Sequence, residues 1–145
     1  MKSKNIDFKF IRKIPFWWEY FPFLSIDMAR TIYPYIYFPK DIFIDLQSES
    51  PKDLNFSILI HEKVHIDRQE KLGILKWNIF YLFSKKFRLN EEIVAILEQM
   101  KYMKSKNLSY DFAKKARQFS SSTYLWMIPY ERGLDLLNNL WTKAD

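Results

Sequence analysis

The stretch "ILIHEKVHIDRQEKLG", residues 58 to 73, contains both histidines of the chain. His61 and His65 are four residues apart, and Glu62 directly follows the first of them. Only two histidines occur in 145 residues, so their grouping around a glutamate indicates a shared chemical role. The residues on either side of this stretch indicate which local structure carries them.

Residues 51 to 72 are predicted to form one long helix. Ser50 supplies a capping hydroxyl, Pro51 suits the first helical position, and Asp53 is an acid three residues after the cap. Gly73 is placed to end the helix. Apolar residues occupy most faces of the central turns, so we expect both histidines to be buried.

Residues four apart on a helix lie on the same face, so His61 and His65 can present their imidazoles to one metal ion. Glu62 follows the first of them and can reach a water at that ion without binding the ion itself. This is the HExxH arrangement, in which the glutamate acts as a general base. The alternative is a pair of core histidines, each hydrogen-bonded to a neighbour.

A catalytic zinc ion requires three protein ligands and an open position. The chain has no cysteine and no further histidine, so the third ligand must be a carboxylate. Residues 87 to 99, "FRLNEEIVAILEQ", offer Glu91, Glu92 and Glu98 on a segment that can form a second helix across the first. Either of the first two glutamates can instead complement the positive end of that helix.

An HExxH helix followed by a glutamate on a later helix resembles the gluzincin metallopeptidases, in particular the compact minigluzincins. The similarity covers the chain from Thr31 to about Gln99. It implies Zn²⁺ bound by His61, His65 and Glu92, because Glu92 precedes the small residue Ala95 by three positions, as in the third-ligand helix of such proteins.

The same resemblance implies hydrolysis of peptide bonds, with Glu62 as the base that activates water at the zinc. A donor for the transition-state oxyanion is also expected, and Tyr124 is the candidate, although it can equally be a packing tyrosine. Larger gluzincins have an aspartate four residues after the ligand glutamate, where this chain has Ile96. Support for the histidines must then come from other polar residues, and the candidates are Asp67, Gln69 and Gln99.

"TIYPYIYF", residues 31 to 38, is rich in residues that favour strands, and Pro34 within it cannot donate to a ladder. We therefore predict an edge strand beside the active site, available to an extended peptide. Residues 39 to 41 turn the chain, and residues 42 to 46 are the predicted partner strand of a small antiparallel sheet.

Further helices are predicted over residues 75 to 83, from a cap at Asn90, after Ser109, and over residues 129 to 141. The apolar residues 14 to 24 are expected to cover an edge of the core. The predicted fold is α+β, with a small antiparallel edge sheet packed on a mainly helical domain. Residues 1 to 145 are expected to form a single domain.

The net charge of +6 comes from basic residues in small groups along the whole chain, which is typical of a solvated basic surface. We therefore expect no nucleic-acid partner. No apolar run approaches the roughly 20 residues of a membrane span, and the N-terminus does not resemble a signal peptide. A cytoplasmic location is expected.

Three functions remain open from the sequence. The first is a zinc-dependent peptidase acting on a peptide or protein substrate. A second is a non-catalytic protein of the same fold, stabilised by the metal and used for structure or interaction. The third is a basic binder of nucleic acid or a membrane surface, which leaves the paired histidines unexplained.

Overall fold

The computed structural model describes residues 8–21 and 27–145. These residues form an α+β fold with six helices and three short strands. The strands are β1 (Ile11–Lys13), β2 (Arg30–Ile32) and β3 (Tyr35–Phe38), and the helices are α1 (Lys40–Leu46), α2 (Asp53–Leu72), α3 (Ile74–Phe83), α4 (Lys85–Ser105), α5 (Phe112–Phe119) and α6 (Tyr130–Lys143). Short 3₁₀ turns cover Phe8–Phe10, Phe16–Tyr20 and Ser122–Tyr124.

The sheet is mixed, with the order β1-β3-β2. Ile36 of β3 lies opposite Ile11 in a parallel pairing and opposite Thr31 in an antiparallel one. The predicted small sheet is present, but it is mixed rather than antiparallel, and residues 31 to 38 do not form one edge strand. Tyr33 and Pro34 form a turn between β2 and β3, because a proline cannot donate to a ladder. Of this segment, only the residues in β2 lie at an edge of the sheet, because β3 is the central strand and is paired on both sides.

The predicted partner strand at residues 42 to 46 is also wrong, since these residues lie in α1. Ile42 and Leu46 are four residues apart, a spacing that fits a helical face as well as a strand. In the structure Leu46 is fully buried, and Ile42 and Phe43 pack against the same cluster. Tertiary packing of this face selects the helix.

Helix α2 begins two residues later than predicted, at Asp53, and Ser50 is not its cap. The backbone N–H of Lys52 and the amide of Asn55 both donate to Asp45, at 3.0 and 2.8 Å. The carboxylate of Asp45 therefore binds the start of α2 from outside the helix. At the other end the prediction is confirmed, because α2 stops at Gly73, whose φ of 96° suits glycine.

Helix α4 begins five residues before the predicted cap at Asn90. The hydroxyl of Ser84 accepts a hydrogen bond from the backbone N–H of Phe87 at 3.2 Å and caps the helix. Asn90 therefore lies inside α4. Helices α5 and α6 lie where helices are predicted after Ser109 and from residue 129.

Two apolar clusters form the core of the described residues. One lies among α4, α5 and α6, where Gly133 lets α6 approach Ala116 so closely that an added Cβ would lie 3.3 Å from the Cβ of Ala116. The other lies between the sheet, α1 and α2 and includes Phe38 and Ile66. Helix α2 packs against both α4 and β2, so its central turns lie between these clusters.

The aromatic residues near the N-terminus cover the core only in part. Ile14 and Trp18 are buried, whereas Phe16, Trp17 and Tyr20 are exposed. Residues 22 to 24 of the predicted covering segment lie outside the described residues.

Candidate metal centre

Helix α2 places His61 and His65 on one buried face, as predicted. Only 4% of His61 and 5% of His65 is exposed. Their Nε2 atoms are 3.3 Å apart, so both imidazoles point at the same small volume. Two nitrogen donors this close together can share one ion.

Glu92 of α4 completes this group. Its Oε2 lies 3.4 Å from Nε2 of His61, and its Oε1 lies 3.3 Å from Nε2 of His65. The three ligand atoms all lie within 4.8 Å of one another, and Oε2 of Glu92 has no hydrogen-bond partner among the described residues. A buried carboxylate that faces two imidazole nitrogens, with one of its oxygens lacking a donor, fits a cation. His61, His65 and Glu92 thus form a group that can hold a metal ion.

The other candidate third ligands lie elsewhere. Glu91 accepts from Arg68 at 2.5 and 2.6 Å and from the indole N–H of Trp77 at 2.9 Å, so its carboxylate is engaged by side chains other than the two histidines. Glu98 is exposed and pairs with Lys101 at 2.7 Å. Of the three glutamates, only Glu92 faces the histidines, although metal binding by it stays a prediction.

Burial and the surrounding charges shift the pKa values of Glu92 and the two histidines in different directions. Burial opposes the charged form of Glu92, but the charges of His65 and Lys115 and the close approach of both imidazoles hold its pKa well below the usual range. Burial lowers the pKa of His61. For His65 burial is the largest single effect and acts the same way, but the charge of Glu92, its contact with the imidazole and the charge of Glu62 together raise the pKa.

Two residues that the sequence did not indicate contact Glu92. The hydroxyl of Tyr81 on α3 donates to Oε1 at 2.7 Å, and the ammonium of Lys115 on α5 lies 3.7 Å from Oε2. Neither belongs to a motif, and each comes from a segment whose position depends on long-range packing. The sequence carried no signal that could have found them.

Glu62 is buried beside His61 but does not belong to the ligand group. Its Oε2 accepts a hydrogen bond from the hydroxyl of Thr31 on β2 at 2.8 Å. The same hydroxyl lies 3.1 Å from the backbone carbonyl oxygen of Glu62. The edge strand of the sheet therefore orients the carboxylate that follows the first histidine.

A cavity of about 640 Å³ opens onto this site. His61, Glu62, Lys115 and Tyr124 line its polar side. Further polar side chains, such as Gln99 and Lys114, also line the cavity, together with apolar ones that include Ile42, Leu54, Ile58 and Met103. The cavity brings the predicted oxyanion donor Tyr124 to the same space as Glu62, and its hydroxyl accepts from Lys115 at 2.6 Å. The donor role itself stays a prediction.

The three residues predicted to support the histidines do not hydrogen-bond to them. Asp67 is exposed and pairs with Lys63 at 2.8 Å, and Gln99 donates to Ser57 at 3.3 Å. Gln69 is buried, with its Oε1 unpartnered in the described part of the chain. The Nδ1 atoms of both histidines likewise have no partner among residues 8–21 and 27–145.

No protein-family model matches the chain, and neither does any curated protein or solved structure. Within the described ranges, no helix is long and apolar enough to cross a membrane. The function is therefore inferred from the site itself.

Proposed function

We propose that the protein is a zinc-dependent metallopeptidase in which His61, His65 and Glu92 bind the metal. The resemblance of the HExxH helix and the later glutamate to gluzincins supports this proposal, as does the convergence of their ligand atoms. The observation that carries it is the position of Glu62. Its carboxylate is buried beside the ligand group, stays outside it and lines the same cavity as His61.

Zn²⁺ bound by these residues supplies a Lewis acid that polarises a carbonyl group and makes water more acidic. Glu62 takes the proton from the attacking water and passes it to the leaving nitrogen of the peptide. Thr31 holds one oxygen of this carboxylate, which keeps it directed at the cavity. Because Glu62 is not one of the three residues that would bind the metal, its carboxylate is free to act as the base.

Tyr124 is the donor we propose for the developing oxyanion. Burial and the negative charge of Glu92 raise the pKa of Tyr124 well above its usual value, so the hydroxyl keeps its proton. Lys115 donates to the tyrosine oxygen, which leaves the hydroxyl proton available to another acceptor. A carbonyl oxygen in the cavity is such an acceptor.

A second candidate function is a non-catalytic protein whose metal has a structural role. Glu92 connects the two histidines of α2 with α4, and it also accepts from Tyr81 of α3. A metal ion here would cross-link α2 and α4 and so stabilise the fold.

Substitution of Glu62 by Gln tests the peptidase. Metal content and cleavage of an unstructured peptide library at neutral pH are measured for the wild type, Glu62→Gln and the exposed control Glu98→Gln. Because the base is removed but the ligands remain, we expect zinc to be retained and cleavage to fall at least about a hundredfold. The control should match the wild type.

Equal cleavage by the wild type and Glu62→Gln would exclude the proposed base. If the zinc-loaded wild type cleaves nothing, while a chelator lowers its melting temperature, the second candidate is supported instead.

A further inference from the structure

Helix α3 exposes an apolar surface that the metal site does not use. Six of its ten residues are large, apolar and exposed. They are Ile74, Leu75, Ile79, Phe80, Leu82 and Phe83. The exposed fractions of Leu75 and Phe83 are 76% and 80%. A helix this apolar is normally buried, and a contiguous apolar surface of this kind marks a site of interaction.

The direction of this surface follows from helical geometry. Trp77 and Tyr81, four residues apart, point inward and hydrogen-bond to the glutamates of α4. Leu75, Ile79 and Leu82 are four and three residues apart and form one stripe on the opposite side. We call this stripe, together with Phe83, the outer face of α3.

Exposed basic residues lie within α3 and directly before and after it in the chain. Lys71, Lys76, Lys85 and Lys86 are all exposed. The sequence from residue 71 to residue 90 contains no aspartate or glutamate. Positive charge around an apolar surface is complementary to a partner that presents negative charge above an apolar layer.

We propose that the outer face of α3 binds the surface of an anionic lipid bilayer. Leu75 and Phe83 enter the boundary between headgroups and acyl chains, and the surrounding lysines contact the lipid phosphates. A helix of ten residues is about 15 Å long at 1.5 Å per residue, half the thickness of the hydrocarbon core. The helix therefore lies on the membrane rather than across it.

A second copy of the chain fits this face less well. A two-fold interface would place the same lysines opposite one another, with no acid from residues 71 to 90 to pair with them. The negative headgroups of an anionic lipid surface would instead pair with these lysines.

Binding to vesicles tests the proposal without using catalytic activity. The purified full chain is sedimented with vesicles of phosphatidylcholine alone and of phosphatidylcholine with phosphatidylserine. We expect binding to the anionic vesicles, weakening as salt is raised, and little binding to the neutral ones.

Two double variants separate the apolar and electrostatic contributions. Leu75→Ser with Phe83→Ser, and Lys76→Gln with Lys85→Gln, should each weaken binding at least about tenfold. The matched controls are Ile44→Ser on α1, 57% exposed, and Lys40→Gln with Lys143→Gln, which remove the same charge elsewhere. Both controls should bind as the wild type does.

The absence of cysteine allows a site-specific probe. A polarity-sensitive fluorophore at Leu75→Cys should shift to the blue on anionic vesicles, whereas one at Ile44→Cys should not. Failure of the wild type to bind anionic vesicles overturns the proposal, and so does binding unchanged in both double variants. Self-association that Leu75→Ser with Phe83→Ser abolishes, without vesicle binding, would identify the face as a contact between copies.

Discussion

Glu91 and Glu92 are chemically identical neighbours with different partners. Glu91 forms an ion pair with Arg68 and accepts from Trp77, whereas Glu92 faces His61 and His65. Both are almost fully buried, so burial alone does not distinguish a metal ligand from a structural carboxylate. The side chains that each carboxylate faces are what distinguish Glu91 from Glu92.

Substitution of each glutamate by Gln should therefore give opposite results. Glu92→Gln removes a ligand and should lose zinc, as measured by metal analysis after dialysis. Glu91→Gln should retain zinc and lower the free energy of unfolding by about 1–2 kcal/mol, a value reduced because Arg68 is 39% exposed. Zinc loss in Glu91→Gln alone, with Glu92→Gln fully loaded, would contradict this assignment.

At the residue level the sequence predicted the buried histidines and the position of Glu62, because both follow from one helix and one spacing. The choice of Glu92 over Glu91 required the resemblance to gluzincins, since both residues lie in the same turn. Thr31, Tyr81 and Lys115 could not be predicted. Each is an ordinary residue that reaches the site from a different segment.

Among the elements, the long helices were predicted best and the short segments worst. Gly73 marks the end of α2 in the sequence because its positive φ excludes most other residues. Residues 42 to 46 carry a pattern that suits both a strand and a helix, and only packing decides between them. The parallel pairing of β1 with β3 joins Ile11 to Ile36, a long-range contact without a local signal.

Helix α3 supports the carboxylate that α4 contributes to the candidate metal site. The hydroxyl of Tyr81 donates to Oε1 of Glu92 at 2.7 Å and so orients the carboxylate. We expect Tyr81→Phe to weaken zinc affinity about tenfold or more, because the loss of a group that orients a ligand has this effect. Competition with a zinc-binding dye measures it, with Tyr130→Phe on α6 as the matched control. Equal affinities in the two variants would show that Tyr81 does not orient the ligand.

For the whole molecule, the ligand group is a buried set of charges between two apolar clusters. Without a metal ion Glu92 is paired with His65 and Lys115, so the stability of the metal-free protein should depend on the ionisation of this carboxylate. These charges hold the pKa of Glu92 well below its usual value of 4.5 although burial opposes them. The pKa shifts of His61 and His65 are opposite in sign, so their effects near neutral pH oppose each other.

A lowered folded-state pKa stabilises the fold above the unfolded value, and this stabilisation is lost as the pH falls. We expect the free energy of unfolding of the chelated protein to decrease below about pH 4.5. The full decrease should be about 1.4 kcal/mol for each unit by which folding lowers the pKa of Glu92. Urea denaturation between about pH 6 and pH 3.5 measures this, and Glu92→Gln should show a smaller decrease. Identical pH profiles for the two proteins would contradict the prediction.

The contacts of Glu91 also determine how α4 is turned about its own axis. Successive helical residues are about 100° apart, so a rotation by one residue would bring Glu91 to the histidines and carry Glu92 away. Arg68 on α2 and Trp77 on α3 both hold Glu91 and oppose that rotation. The number of residues between the cap at Ser84 and Glu92 is therefore constrained by the site, whereas insertion beyond the end of α4 leaves the rotation unchanged.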